Sequence, residues 1–184
     1  MKDQDLHIWV QACRKGDSIA QYELYKALYG FAYKIAARYT GHHQESEEVT
    51  QDSFYKLFTR IDQYTGELSF LSWFKTIIIH TCIDRYRSKV SKPSMLELEH
   101  AVQMSEEAAS FTNIDVEYLV EIIKKLPPAY RLCLNMYAIE GYEYHEIAEQ
   151  LKISTGAVKS NIAKARMRLK HWLSMEQKSS QYAR

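Results

Sequence analysis

Residues 142–170, YEYHEIAEQLKISTGAVKSNIAKARMRLK, contain two short amphipathic helical patterns on either side of a tight turn. In the first pattern, one apolar stripe ends near Lys152 and is formed by Ile147, Ala148 and Leu151. In the second, Ser154 is a suitable N-cap, and apolar residues then recur at steps of four, three and four, as Val158, Ile162, Ala165 and Leu169. This order of elements predicts a helix-turn-helix.

The second of these helices is basic on its polar side. Between residues 152 and 170 there are no Asp or Glu, and the basic residues are Lys152, Lys159, Lys164, Arg166, Arg168 and Lys170. Their charge attracts phosphate, and small side chains between them suit a major groove. A solvated basic face with no ligand is the alternative interpretation. We predict a DNA-contacting set in this helix, namely Ser154, Thr155, Lys159, Ser160, Lys164 and Arg166.

The turn between the two helices has an unusual residue. The position after Leu151 often holds Gly, which adopts a left-handed backbone without strain, and here it holds Lys152. A left-handed Lys is expected to cost on the order of 1 kcal/mol.

Composition limits the class of protein. The chain has 184 residues, of which 46% are apolar and 26% charged, as is usual for a globular protein. The three cysteines, Cys13, Cys82 and Cys133, lie in apolar helical patterns without a CxxC pair, which indicates buried thiols in a reducing compartment. We find no leader sequence and no apolar run of about 18 residues. We therefore expect a cytoplasmic protein with no membrane span, no metal and no cofactor.

Helical periodicity, few glycines and few alternating runs predict an all-α fold. We expect two small helical domains joined by a flexible linker, with the helix-turn-helix in the C-terminal one. The predicted boundaries are an N-terminal domain over 1–90, an acidic linker over 91–113, a C-terminal domain over 114–174 and a polar tail over 175–184. The periodicity fades in the linker, where Pro93 is followed by several Glu residues.

Two parts of the chain resemble the extracytoplasmic-function sigma factors, the small promoter-recognition subunits of bacterial RNA polymerase. The C-terminal stretch, residues 126–170, is LPPAYRLCLNMYAIEGYEYHEIAEQLKISTGAVKSNIAKARMRLK and is similar to the fourth conserved region of that family. Residues 46–58, SEEVTQDSFYKLF, resemble its polymerase-binding segment. Residues 69–87, SFLSWFKTIIIHTCIDRYR, resemble its promoter-melting helix.

The resemblance implies roles for particular residues. Those implied to contact core RNA polymerase are Glu48, Gln51, Asp52 and Phe54. Those implied to face melted promoter DNA are Trp73, Lys75, His80, Asp84, Arg85 and Arg87. Aromatic rings stack on unpaired bases and basic groups hold the backbone, so this mixture suits an opening strand. Core positions are the alternative for Phe54 and Trp73, and a structural role is the alternative for His80.

The function that the resemblance implies is promoter-specific transcription initiation, with core RNA polymerase and promoter DNA as partners and an anti-sigma factor as a further candidate partner. An alternative is a sigma-like module that binds an anti-sigma factor without directing transcription. An enzyme has little support, because the HExxH-like stretch at His145 has Glu149 where a zinc protease has its second His.

Overall fold

The computed structural model describes the backbone of residues 3–91 and 116–182. All regular structure in these two ranges is helical, which confirms the predicted fold class. The chain forms two compact units, Met1–Arg85 and Tyr86–Arg184. The predicted linker over 91–113 lies outside the described residues, except for Ser91 at the end of a helix.

The described range 3–91 contains four α-helices and a short 3-10 turn. They are α1 (Asp3–Arg14), α2 (Ser18–Thr40), α3 (His43–Thr59), the turn Ile61–Gln63 and α4 (Phe70–Ser91). Asp17 caps α2, because its Oδ1 accepts the backbone N–H groups of Ile19 at 2.8 Å and Ala20 at 3.2 Å. The same helix ends at Gly41, whose φ of 76° is left-handed and favours glycine.

Aromatic rings fill the space between α2, α3 and α4. Phe74 of α4 is fully buried, and its ring centroid lies 5.0 Å from that of Phe54 on α3 and 6.4 Å from that of Phe31 on α2. Tyr25 of α2 lies 4.6 Å from Phe54 on the other side. Such tilted ring pairs stabilise a core beyond the area that they bury. This cluster holds α3 and α4 in fixed register on α2.

The C-terminal part contains α5 (Val116–Lys124), α6 (Pro128–Ala138), α7 (Tyr144–Leu151) and α8 (Thr155–Tyr182). The structure buries most of the apolar stripes predicted for the helix-turn-helix, namely Ile147, Ala148, Leu151, Val158, Ile162 and Ala165, and leaves Leu169 half-buried. Helix α8 continues to Tyr182, so most of the polar tail predicted over 175–184 is helical.

The three cysteines are buried, as the sequence predicts, and form no disulfide bond. Burial is the main cause that raises the pKa of the Cys13 thiol to about 11, and the nearby Asp17 carboxylate adds to it. A thiol in such a setting stays protonated and unreactive at neutral pH. Within the described residues, no helix is long and apolar enough to cross a bilayer.

Lys152 has the left-handed backbone that the sequence predicts, with φ 56° and ψ 45°. It ends α7, and its backbone N–H reaches the carbonyl oxygens of Ala148 and Glu149. Replacing Lys152 with Gly removes the Cβ strain, so we expect the free energy of unfolding to rise by about 1 kcal/mol. Thermal denaturation measures the change. Lys152→Ala removes the charge but keeps the strain, so equal stabilisation by Ala would contradict the backbone explanation.

Candidate nucleic-acid and polymerase interfaces

The six residues predicted to contact DNA lie together at the start of α8. Ser154 is the N-cap, as predicted, because its Oγ accepts the backbone N–H of Ala157 at 3.1 Å. All of the predicted DNA-contacting residues are exposed to solvent, outside the buried stripe of α8, namely Ser154, Thr155, Lys159, Ser160, Lys164 and Arg166. We call these six residues the basic face. The structure therefore leaves the whole predicted set accessible to a ligand.

Three tyrosines lie beside the basic face. Tyr130 and Tyr137 belong to α6, and Tyr144 is the first residue of α7. The rings of Tyr137 and Tyr144 are stacked, with centroids 4.8 Å apart and an interplanar angle of 11°. A hydrogen bond with Tyr137 is the main cause that raises the pKa of the Tyr144 hydroxyl. We call these three residues the tyrosine row.

Each ring of the tyrosine row has at least one cation from α8 over it. Lys159 Nζ lies 5.5 Å from the Tyr144 centroid, and the Arg166 guanidinium lies 5.5 Å from the Tyr137 centroid. The Tyr130 centroid has two cations near it, Lys164 Nζ at 5.9 Å and the Arg168 guanidinium at 5.2 Å. All four distances are within the range of cation–π attraction. Sequence reasoning missed this row, although a spacing of seven residues between the tyrosines was a visible signal.

The predicted polymerase-binding residues divide into surface and core. On α3, Gln51 and Asp52 are exposed, and Glu48 is partly exposed. Phe54 is different, because its side chain is only 3% exposed and lies in the aromatic cluster described above. This burial favours the core alternative for Phe54 over a surface contact. The helical period brings residues 48, 51 and 52 to one side of α3, whereas Phe54 turns toward α2 and α4.

The residues predicted to face melted DNA are spread along α4. Trp73 is half-buried, with its ring centroid 5.5 Å from Tyr64 and 5.7 Å from Phe70. The rings of Tyr64 and Phe70 therefore pack against Trp73. Of the remaining predicted residues, the exposed ones are His80 and Asp84, and the half-buried ones are Lys75, Arg85 and Arg87.

Ion pairs join side chains of α3 to two predicted DNA-facing residues of α4, Asp84 and Arg85. The Arg85 guanidinium pairs with Glu48 and lies 3.9 Å from an Asp52 carboxylate oxygen. Lys56 Nζ donates to Asp84 Oδ2 at 3.2 Å. Because all five side chains keep substantial exposure, each pair contributes about 0–1 kcal/mol to stability. Their main effect is electrostatic, because the carboxylates of Glu48 and Asp52 offset the positive charge of Arg85.

Both parts of the chain match known protein families. Residues 24–91 match Sigma-70 region 2, and residues 117–169 match Sigma-70 region 4. Over 179 residues the chain is 27% identical to the ECF RNA polymerase sigma factor SigW of Bacillus subtilis, covering 89% of this chain and 94% of SigW. The chain belongs to the extracytoplasmic-function sigma factors. The resemblance seen in the sequence is thereby confirmed.

Other similar proteins cover different shares of this sigma factor. It is 25% identical over 146 residues to the ECF RNA polymerase sigma factor SigE of Mycolicibacterium smegmatis, covering 77% of this chain and 56% of SigE. Among solved structures, one similar chain is the sigma factor RpoE in complex with the anti-sigma factor NepR from Bartonella quintana. It has 17% identity and a TM-score of 0.49, covering 83% of this chain and 96% of that one.

Proposed function

We propose that this sigma factor binds core RNA polymerase in the cytoplasm and directs it to specific promoters, without catalysing RNA synthesis itself. The observation that carries the proposal is the basic face of α8, which lies within the segment that matches Sigma-70 region 4. Its cations are exposed to solvent, while the same helix buries Val158, Ile162 and Ala165. Such a helix is suited to the major groove of an upstream promoter element.

The segment that matches Sigma-70 region 2 supplies the other two activities. On α3, Glu48, Gln51 and Asp52 form an acidic and polar surface for core polymerase. On α4, Trp73 offers a ring on which an unpaired base can stack, for about 1–3 kcal/mol per base. Lys75, His80, Arg85 and Arg87 would hold the backbone or base edges of the opened strand, with Asp84 beside them. In this proposal Phe54 supports α3 from the core and contacts no partner.

The alternative function is capture of an anti-sigma factor without any role in initiation. A module of that kind would not require an exposed basic face on α8. The test is to mix the purified chain with core polymerase, isolate the complex by size exclusion and incubate it with a random DNA library. We expect the complex to retain a defined subset of sequences that core polymerase alone does not retain. Formation of the complex without sequence selection would favour the alternative.

Lys159 provides a graded test of how the basic face contacts DNA. If Lys159 reads a base edge, Lys159→Ala should weaken promoter binding by about 1–3 kcal/mol and relax specificity at one position. If it meets only phosphate, the slope of log K against log salt should fall in magnitude by about 0.9. Affinity of the polymerase complex for selected DNA is measured across a salt series. Lys125→Ala, which removes an exposed charge outside α8, is the matched control. Unchanged binding at every salt concentration would remove Lys159 from the interface.

A further inference from the structure

The tyrosine row gives the recognition helix a feature that a basic amphipathic helix alone does not have. Long Lys and Arg side chains on a helix surface usually sample many rotamers, and ordering them on binding costs entropy. Here the cations of Lys159, Lys164 and Arg166 each lie over a ring supplied by α6 or α7. The rings therefore restrict these side chains before any DNA is present.

The restricted cations remain available to a ligand. Lys159, Lys164 and Arg166 are all exposed, so their charged groups keep contact with solvent while their rings lie beside them. Two of the rings are held in place, because Tyr137 and Tyr144 stack on each other across the gap between α6 and α7. A cation that lies over a fixed ring and stays accessible to solvent is pre-organised for binding.

We propose that Tyr130, Tyr137 and Tyr144 are positioning residues that hold the cations of α8 in the geometry in which they meet DNA. This inference rests on the proposed function, in which the basic face binds the promoter. The ring face carries the effect, and the hydroxyl does not, because cation–π attraction arises from the ring quadrupole. Substitution of each Tyr by Phe should therefore preserve DNA binding, whereas substitution by Leu should weaken it.

The first experiment compares single variants in the polymerase complex, using DNA that the wild-type complex selects. Tyr144→Leu should weaken binding about two- to fivefold, as expected for the loss of one exposed cation–π pair, and Tyr144→Phe should stay within about twofold of wild type. Tyr142→Leu is the matched control, since Tyr142 is also half-buried and lies two residues away. Equal or tighter binding by Tyr144→Leu would overturn the proposal, because the ring would then be neutral or would hold Lys159 away from DNA.

A double-mutant cycle separates positioning from a general role in folding. If the Tyr144 ring acts through Lys159, then Tyr144→Leu should cause no further loss when Lys159 is already Ala. If Tyr144 only stabilises the fold, the two losses should multiply, and that result would overturn the proposal. The cycle is measured with the full chain alone on nonspecific duplex DNA at low salt, and then with polymerase on selected DNA.

The two reactions distinguish failure of this inference from failure of the proposed function. Nonspecific binding at low salt needs only a basic surface and no sigma activity. Coupling between Tyr144 and Lys159 on nonspecific DNA, with no promoter selection by the wild-type complex, would support the positioning role and contradict the proposed function. Promoter selection by wild type without coupling in either reaction would leave the proposed function intact and overturn the positioning role.

Discussion

Phe54→Ala is expected to lower the free energy of unfolding by about 3–5 kcal/mol, the range for removing a buried aromatic side chain. Phe54 is 3% exposed, and its ring has three aromatic neighbours, Tyr25, Phe58 and Phe74, with centroids 4.6 to 6.1 Å away. Truncation leaves a cavity where α2, α3 and α4 meet. Thermal or denaturant unfolding, followed by circular dichroism, measures the loss.

Two further variants show whether burial is the cause. Phe54→Leu fills most of the cavity and should cost clearly less than Phe54→Ala. Tyr55→Ala, at a neighbouring side chain that is 72% exposed, should change stability by no more than about 0.5 kcal/mol. A Phe54→Ala protein that keeps wild-type stability but no longer binds polymerase would show that the side chain contacts the partner after all.

Asp52→Lys is expected to fold normally and to lose polymerase binding. The Asp52 side chain is 56% exposed, and its pair with Arg85 is long at 3.9 Å, so the stability change should stay within about 1 kcal/mol. We expect the acidic surface around Asp52 to meet a basic surface of polymerase, where a positive charge costs several kcal/mol, which corresponds to a loss of about a hundredfold or more in affinity. Fluorescence anisotropy with labelled sigma factor and core polymerase measures the affinity.

The control for Asp52→Lys is the same charge reversal elsewhere on the N-terminal part. Asp62 is exposed in the 3-10 turn, outside the predicted polymerase surface, so Asp62→Lys should bind nearly as wild type does. If Asp52→Lys instead abolishes the cooperative melting transition, Asp52 is a structural residue. Weak binding by both variants would indicate a general effect of charge, without a defined contact at Asp52.

Local features of the fold could be predicted because they depend on residues close in sequence. The buried stripe of α8, the N-cap at Ser154 and the left-handed Lys152 all follow from helical periodicity and turn chemistry within a few residues. The sequence does not indicate that α8 continues through the polar tail to Tyr182, because a polar stretch without an apolar stripe has no helical periodicity to detect.

Features that depend on contacts between helices could not be predicted in the same way. Periodicity places Phe54 on a side of α3, but it does not say that α2 and α4 cover that side. The pairing of Arg85 with Glu48 also joins helices that are distant in sequence. This pairing places Arg85, a residue proposed to hold DNA, beside carboxylates. Polymerase contacts to Glu48 or Asp52 would therefore alter the charge around Arg85.

We propose that this chain directs core RNA polymerase to specific promoters. The most direct measurement is sequencing of the 5′ ends of transcripts made in vitro from fragmented bacterial genomic DNA, with core polymerase alone and with core polymerase plus the purified chain. We predict discrete start sites that appear only with the chain, share a common upstream sequence and disappear with Asp52→Lys. Start sites that are the same with and without the chain, although it binds the polymerase, would contradict the claim.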